Sequence, residues 1–177
     1  MRKALNALVL LAGAATLACS TMTTSVDYDH TINWSKYSTF QIMEGTKAPT
    51  SFTQKRIEDG ITSALTSKGW TATTTNPSIL VYPHVVLSTQ KQWTTTSMGG
   101  FGYRGWGGMG GGMATTTQQN IPIGTLIVDL VDPNTHEMVW RGMAQDQVSG
   151  NGEDQGTINE AMQKIFANFP PGSQPSK

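Results

Sequence analysis

The spacing of apolar residues switches between a period of two and a period of 3.6 along this chain, and that succession limits the folds open to it. Tyr37 to Ile42 alternates polar with apolar residues, as a half-buried strand does. Between Phe52 and Lys68, the residues Ile57, Ile61, Ala64 and Leu65 recur at i, i+4, i+7 and i+8, which is one helical face. Thr50 or Ser51 can cap this helix, and Gly69 suits its left-handed stop. Gly60 lowers helix propensity by about 1 kcal/mol relative to alanine, so packing must hold that turn. Ile79 to Leu87 is apolar on both faces, as a central strand requires, with a bulge or an edge expected at Pro83 because proline cannot donate to a ladder. Leu126 to Val131 and Met138 to Trp140 flank the turn formers Asp132-Pro133-Asn134, which predicts a hairpin. Thr157 and Glu160 have capping-box spacing, and Ile158, Ala161, Met162, Ile165 and Phe169 continue one face until Pro170 and Pro171 stop it. The order strand, helix, strand, hairpin, helix predicts an α+β domain: one mostly antiparallel sheet covered by two helices.

Such a domain must be held by its core, because the chain has a single cysteine. A body of roughly 150 residues buries about two-thirds of its unfolded surface and needs no disulfide or metal. Apolar residues make up 37% and charged residues 14%, which fits a lightly charged globule. Lysine plus arginine equal aspartate plus glutamate at 12 each, and no basic run or stripe occurs. Nucleic acid is therefore not an expected partner.

Arg2 and Lys3 precede a mostly apolar stretch from Ala4 to Leu17, too short to span a bilayer and suited to a signal peptide. It closes on Thr16-Leu17-Ala18-Cys19-Ser20, which resembles the lipobox of bacterial lipoprotein precursors in a relaxed form, with Thr16 where leucine is usual. That resemblance implies a diacylglyceryl group on the Cys19 thiol, cleavage before Cys19 and acylation of its new amino group, palmitate being a typical chain. A lone cysteine has no pairing partner in an oxidising compartment, and lipidation gives it a use. Ser20 is not the aspartate that retains many such proteins in the inner membrane, so the resemblance implies a lipid anchor in the outer membrane, on the periplasmic side. The expected organisation is a signal peptide over 1–18, a lipidated tether over 19–25, one domain over 26–171 and a loose tail over 172–177.

Further pieces coincide in order and spacing: Tyr37-Ser38-Thr39-Phe40, Lys68-Gly69-Trp70, the run Gly124 to Asp132, and Val139-Trp140-Arg141-Gly142. With the lipobox they resemble a family of Gram-negative lipoproteins defined by a single domain of unknown function. The resemblance covers most of Asp27 to Pro171 and brings no catalytic residue with it.

Residues 97–113 hold most of the remaining chemistry. Gly100-Phe101-Gly102-Tyr103-Arg104-Gly105 matches GxGxxG, but the glycine-rich run after it cannot start a stable helix, so no helix N-terminus is offered to a phosphate. A loop displaying Phe101, Tyr103 and Trp106 suits an apolar partner, or folds back on the domain. His30, His84 and His136 share no metal-ligand spacing. Asp129, Asp132 and Glu137 cluster near the hairpin, where paired carboxylates could divide acid and base roles, although turn chemistry accounts for Asp132. Trp140 is expected in the core and Arg141 on the outer side. Threonine-rich segments at 71–75, 94–96 and 115–117 suit solvated strand ends or loops. No nucleophile elbow occurs and the one cysteine is committed to the anchor, so an enzyme is not expected, nor a cofactor or metal. The expected role is a non-enzymatic envelope component that binds another envelope protein, the alternative being a small-ligand carrier or sensor with a pocket between sheet and helices. An enclosed apolar pocket favours the carrier, and a filled core the first reading.

Overall fold

The computed structural model of the chain describes residues 22–97, 114–148 and 154–172. Six strands form one sheet, β1 (Thr23–Tyr28), β2 (Thr39–Ile42), β3 (Thr71–Ala72), β4 (Ile79–Ser97), β5 (Ala114–Val131) and β6 (Met138–Gln147), in the order β1-β6-β5-β4-β2-β3. Two helices, α1 (Ser51–Ser67) and α2 (Gln155–Ile165), lie side by side on one face.

The sheet is mixed, not mostly antiparallel as the sequence suggested. β4, β5, β6 and β1 pair antiparallel, whereas β2 runs parallel to both β3 and β4. The cause is α1, which carries the chain from the end of β2 back to the level where β2 began, so the next strands run the same way. Ser78 ties this junction: its hydroxyl donates to the Thr39 carbonyl at 2.7 Å and accepts the Ser38 and Thr39 amides at 3.1 and 3.0 Å.

The hairpin expected around Asp132 is present, but its strands are longer than the apolar runs: β5 begins at Ala114 and β6 reaches Gln147. The first strand starts before Val26. Met22 is buried, and Thr23 to Tyr28 pair with Gln145 to Trp140. Pro83 sits in an unbroken register with Val128. Its neighbours two residues away, Val81 and Val85, turn their backbone groups toward the segment after β2, accepting from Met43 at 2.8 Å and donating to Thr46 at 3.1 Å. The amide that proline lacks therefore belongs to that side, and the β5 ladder needs no bulge.

Thr50 caps α1, accepting the Thr53 amide at 3.1 Å, and Gly69 adopts φ +86° just beyond the helix. The α2 start differs from the capping-box expectation. Asp154 is the cap and accepts the amide of Thr157, so Thr157 lies inside the first turn. The two helices meet at Gly60, where a Cβ would come within 3.1 Å of Met162.

Sheet residues facing the helices fall into cross-strand rows. Val81, Leu130 and Trp140 form one row, Pro83, Val128 and Gly142 the next. Trp140 stacks on Phe166 at 5.0 Å, and Phe169 meets Trp140, Trp70 and Trp34 edge-on at 5.3, 5.2 and 5.6 Å. Gly142 is required there, since a Cβ would run into Ile165 and Trp140. This end of the core is filled by rings.

Candidate functional site

The other end of the same interface is not filled. Two further rows, Val85–Leu126–Ala144 and Leu87–Gly124–Asp146, present small residues at their centres. Opposite them the helices contribute Thr53 and Ile57 near the start of α1 and Thr157, Ile158 and Ala161 near the start of α2. Short side chains on both walls leave a half-open cavity of about 330 Å³ between sheet and helices. That is the lower end of the usual range for ligand pockets, about 300 to 1,000 Å³.

Most of its wall is apolar. The Thr50 hydroxyl accepts the Thr53 amide and lies 2.9 Å from the Thr53 hydroxyl, so these groups satisfy one another. Val148 closes one side: its amide donates to the Pro122 carbonyl at 3.0 Å, and its side chain lies over Gly124, where a Cβ would collide with it. Leu87 lines the cavity while 56% exposed, which places it at the opening. Met22, the first described residue, is also part of the lining.

The carboxylates expected near the hairpin are not brought together. Asp129 lies on the sheet face away from the helices, where Arg141 grips it with two bonds of 2.6 Å. His84 faces the same carboxylate, its Nε2 3.7 Å away. The Nδ1 of His84 accepts the Thr46 amide at 3.1 Å, so Nε2 carries the proton. Its role is to tie the segment after β2 to the sheet. Asp132 instead sits in the turn, accepting from the Tyr37 hydroxyl at 2.7 Å, Lys36 at 3.2 Å and the Asn134 amide at 2.9 Å. Burial alone would raise its pKa, but the bonds from Tyr37, Asn134 and Lys36 outweigh burial and hold the carboxyl well below the usual range. Glu137 is exposed and joins neither group.

Trp140 is buried and Arg141 exposed on the opposite face, as the alternation predicts. The His30 ring lies tilted against Tyr28 at 4.3 Å, and His136 is exposed at the turn with φ +60°. Among the described residues no three histidine, cysteine or acidic side chains converge. Cys19, Phe101, Tyr103 and Trp106 lie outside the described residues.

Residues 24–171 match DUF4136, a domain of unknown function, and the chain belongs to that family. A comparison with curated proteins finds no match. Among solved structures, a PDZ domain protein from Parabacteroides distasonis shares the fold with a TM-score of 0.55 at 12% identity, over 86% of this chain. This chain spans 36% of that protein's length. A PelC dodecamer from Paraburkholderia phytofirmans aligns with a TM-score of 0.49 and 11% identity, over 82% of this chain and 95% of its own. The lipoprotein GNA1162 from Neisseria meningitidis aligns at 0.40 and 11%, over 74% of this chain and 99% of its own. At these identities the likeness concerns the fold alone.

Sequence reasoning missed the cavity residues. The available signal was the small residues at alternate strand positions, Gly124 and Ala144, within otherwise bulky runs.

Proposed function

We propose that this protein is a non-enzymatic, lipid-anchored component of the outer membrane that holds a small apolar ligand between its sheet and helices. One observation carries the reading: a cavity of about 330 Å³ whose wall is mostly apolar and whose Thr50 and Thr53 hydroxyls are bonded to each other. An apolar group fits such a wall, and each methylene taken from water contributes about 0.8 kcal/mol. The acidic groups that could serve catalysis are occupied elsewhere, Asp129 by Arg141 and Asp132 by Tyr37 and Lys36. The anchor rests on Cys19 and the apolar leader before it. No helix among the described residues is long and apolar enough to cross a membrane.

The full chain carrying Cys19→Ala tests the ligand reading with the uncharged dye N-phenylnaphthylamine. Enhanced fluorescence at micromolar protein is expected, weakened at least about tenfold, or about 1.4 kcal/mol, by Ala161→Trp, which fills the cavity. A dye response of equal strength in both proteins, or none in either, rejects the assignment.

A second reading, docking of another envelope protein, draws on the long β4–β5 ribbon. Residues 90–97 and 114–121 pair only with each other among the described residues, and Trp93 on that ribbon is 64% exposed. A two-stranded ribbon with both edges open is a poor stand-alone structure and a ready template for a further strand. The connection between its strands contains Phe101, Tyr103 and Trp106. A photocrosslinker in place of Trp93 in intact cells would capture an envelope protein, and failure to capture one removes this reading.

A further inference from the structure

The cavity opening and the N-terminal end of the domain lie together. Met22 lines the cavity and is three residues from Cys19. Three extended residues span at most about 10 Å, so a chain attached to the Cys19 sulfur starts close to the opening. The lining also selects the kind of chain. Among the described residues Asp146 is its only ionisable residue, and an acid; no described lysine, arginine or histidine lines the cavity. A free fatty acid would bring an ionised carboxylate to a site with an acid and no cation, whereas an ester-linked acyl chain brings no charge.

We propose that this cavity is occupied by one acyl chain of the lipid on Cys19 of the same polypeptide. The inference rests on the reading of the cavity as an apolar-ligand site and of Cys19 as lipidated. Each methylene that enters the cavity leaves water much as it does on entering a bilayer. The two environments therefore compete on nearly equal terms: the domain shields the chain while no bilayer is present and yields it when one is. Occupancy is highest for the protein free in aqueous buffer.

The test uses the full chain from cells fed a fatty acid that bears a photoactivatable diazirine, purified, freed of detergent and irradiated. Mass spectrometry should find the Cys19 lipid joined to Ile57, Leu126 or Ala161. Mixing with heavy-isotope-labelled protein should show the joined peptides to come from one chain. Ala161→Trp should reduce the yield at Ile57 and Leu126 at least tenfold with an unchanged circular dichroism spectrum, and Ala144→Leu replaces it should that variant unfold. Lipid on Cys19 without crosslinks inside one chain overturns the inference, and dye binding by the Cys19→Ala chain then shows that the ligand site itself survives. Equal crosslinking of the free fatty acid to these residues in Cys19→Ala overturns it too, assigning the cavity to free lipid. An unmodified Cys19 overturns both the inference and the anchor.

Discussion

At Asp132, neighbours from two distant parts of the chain settle the state of one carboxyl. The Tyr37 hydroxyl, the Lys36 ammonium and the Asn134 amide all donate to it, and it is 4% exposed. Its pKa in the folded protein is lowered, so it contributes stability above its unfolded value of about 3.9 and loses that contribution as pH falls below it. Tyr37→Phe removes one bond to a buried charge and should cost about 1.5 to 3 kcal/mol at neutral pH. The unfolded carboxyl is the same in both proteins, so the gap should persist to about pH 4 and close only as pH falls through the lowered folded values. Urea denaturation at pH 7 measures the cost, and an NMR titration of the Asp132 carboxyl should place its pKa higher in Tyr37→Phe than in wild type; equal values would show that Tyr37 acts through packing alone. The turn role of Asp132 was legible, since its side chain caps the amide two residues on. Its bond to Tyr37 was not, because 95 residues separate them.

Local rules served helices better than strands at the scale of elements. The Thr50 cap and the Gly69 stop of α1 depend on neighbours in sequence, and both are where the pattern predicts. The start of α2 moved because two acceptors, Asp154 and Thr157, were within a turn of each other, and the earlier one took the orphan amide. Asp154→Ala should therefore lower the denaturation midpoint, while Thr157→Ala should lower it less, because the backbone amide stays bonded to Asp154 and only the hydroxyl's contact is lost. Equal shifts from the two variants would restore the capping box. Strand direction escaped the sequence reading for a different reason. The strand–helix–strand order already contained a crossover, and a crossover returns the chain parallel to its start. β1 was hidden because Thr23 to Tyr28 is mostly polar, and backbone pairing with β6 rather than a buried side-chain pattern makes it a strand.

On the scale of the whole molecule, one sheet face and two helices enclose a core that is full of rings at one end and open at the other. The domain adjoins the chain's only thiol through Met22. Cys19→Ala should abolish incorporation of labelled fatty acid and release or stall the protein in export, since no other cysteine can take the lipid. Labelled fatty acid in cells followed by envelope fractionation reads this out, and retained label in the variant would reject the anchor. The two helices, the turn at Asp132 and the side of the sheet taken by Trp140 and Arg141 could be determined from sequence alone, because each depends on periodicity or on groups a few residues apart. Only the tertiary structure decided the mixed sheet, the separation of Asp129 from Asp132, and the cavity. A cavity is a deficit of volume: Gly124, Ala144, Thr53 and Ala161 are unremarked singly, and only their convergence across four elements leaves space that no one of them reveals.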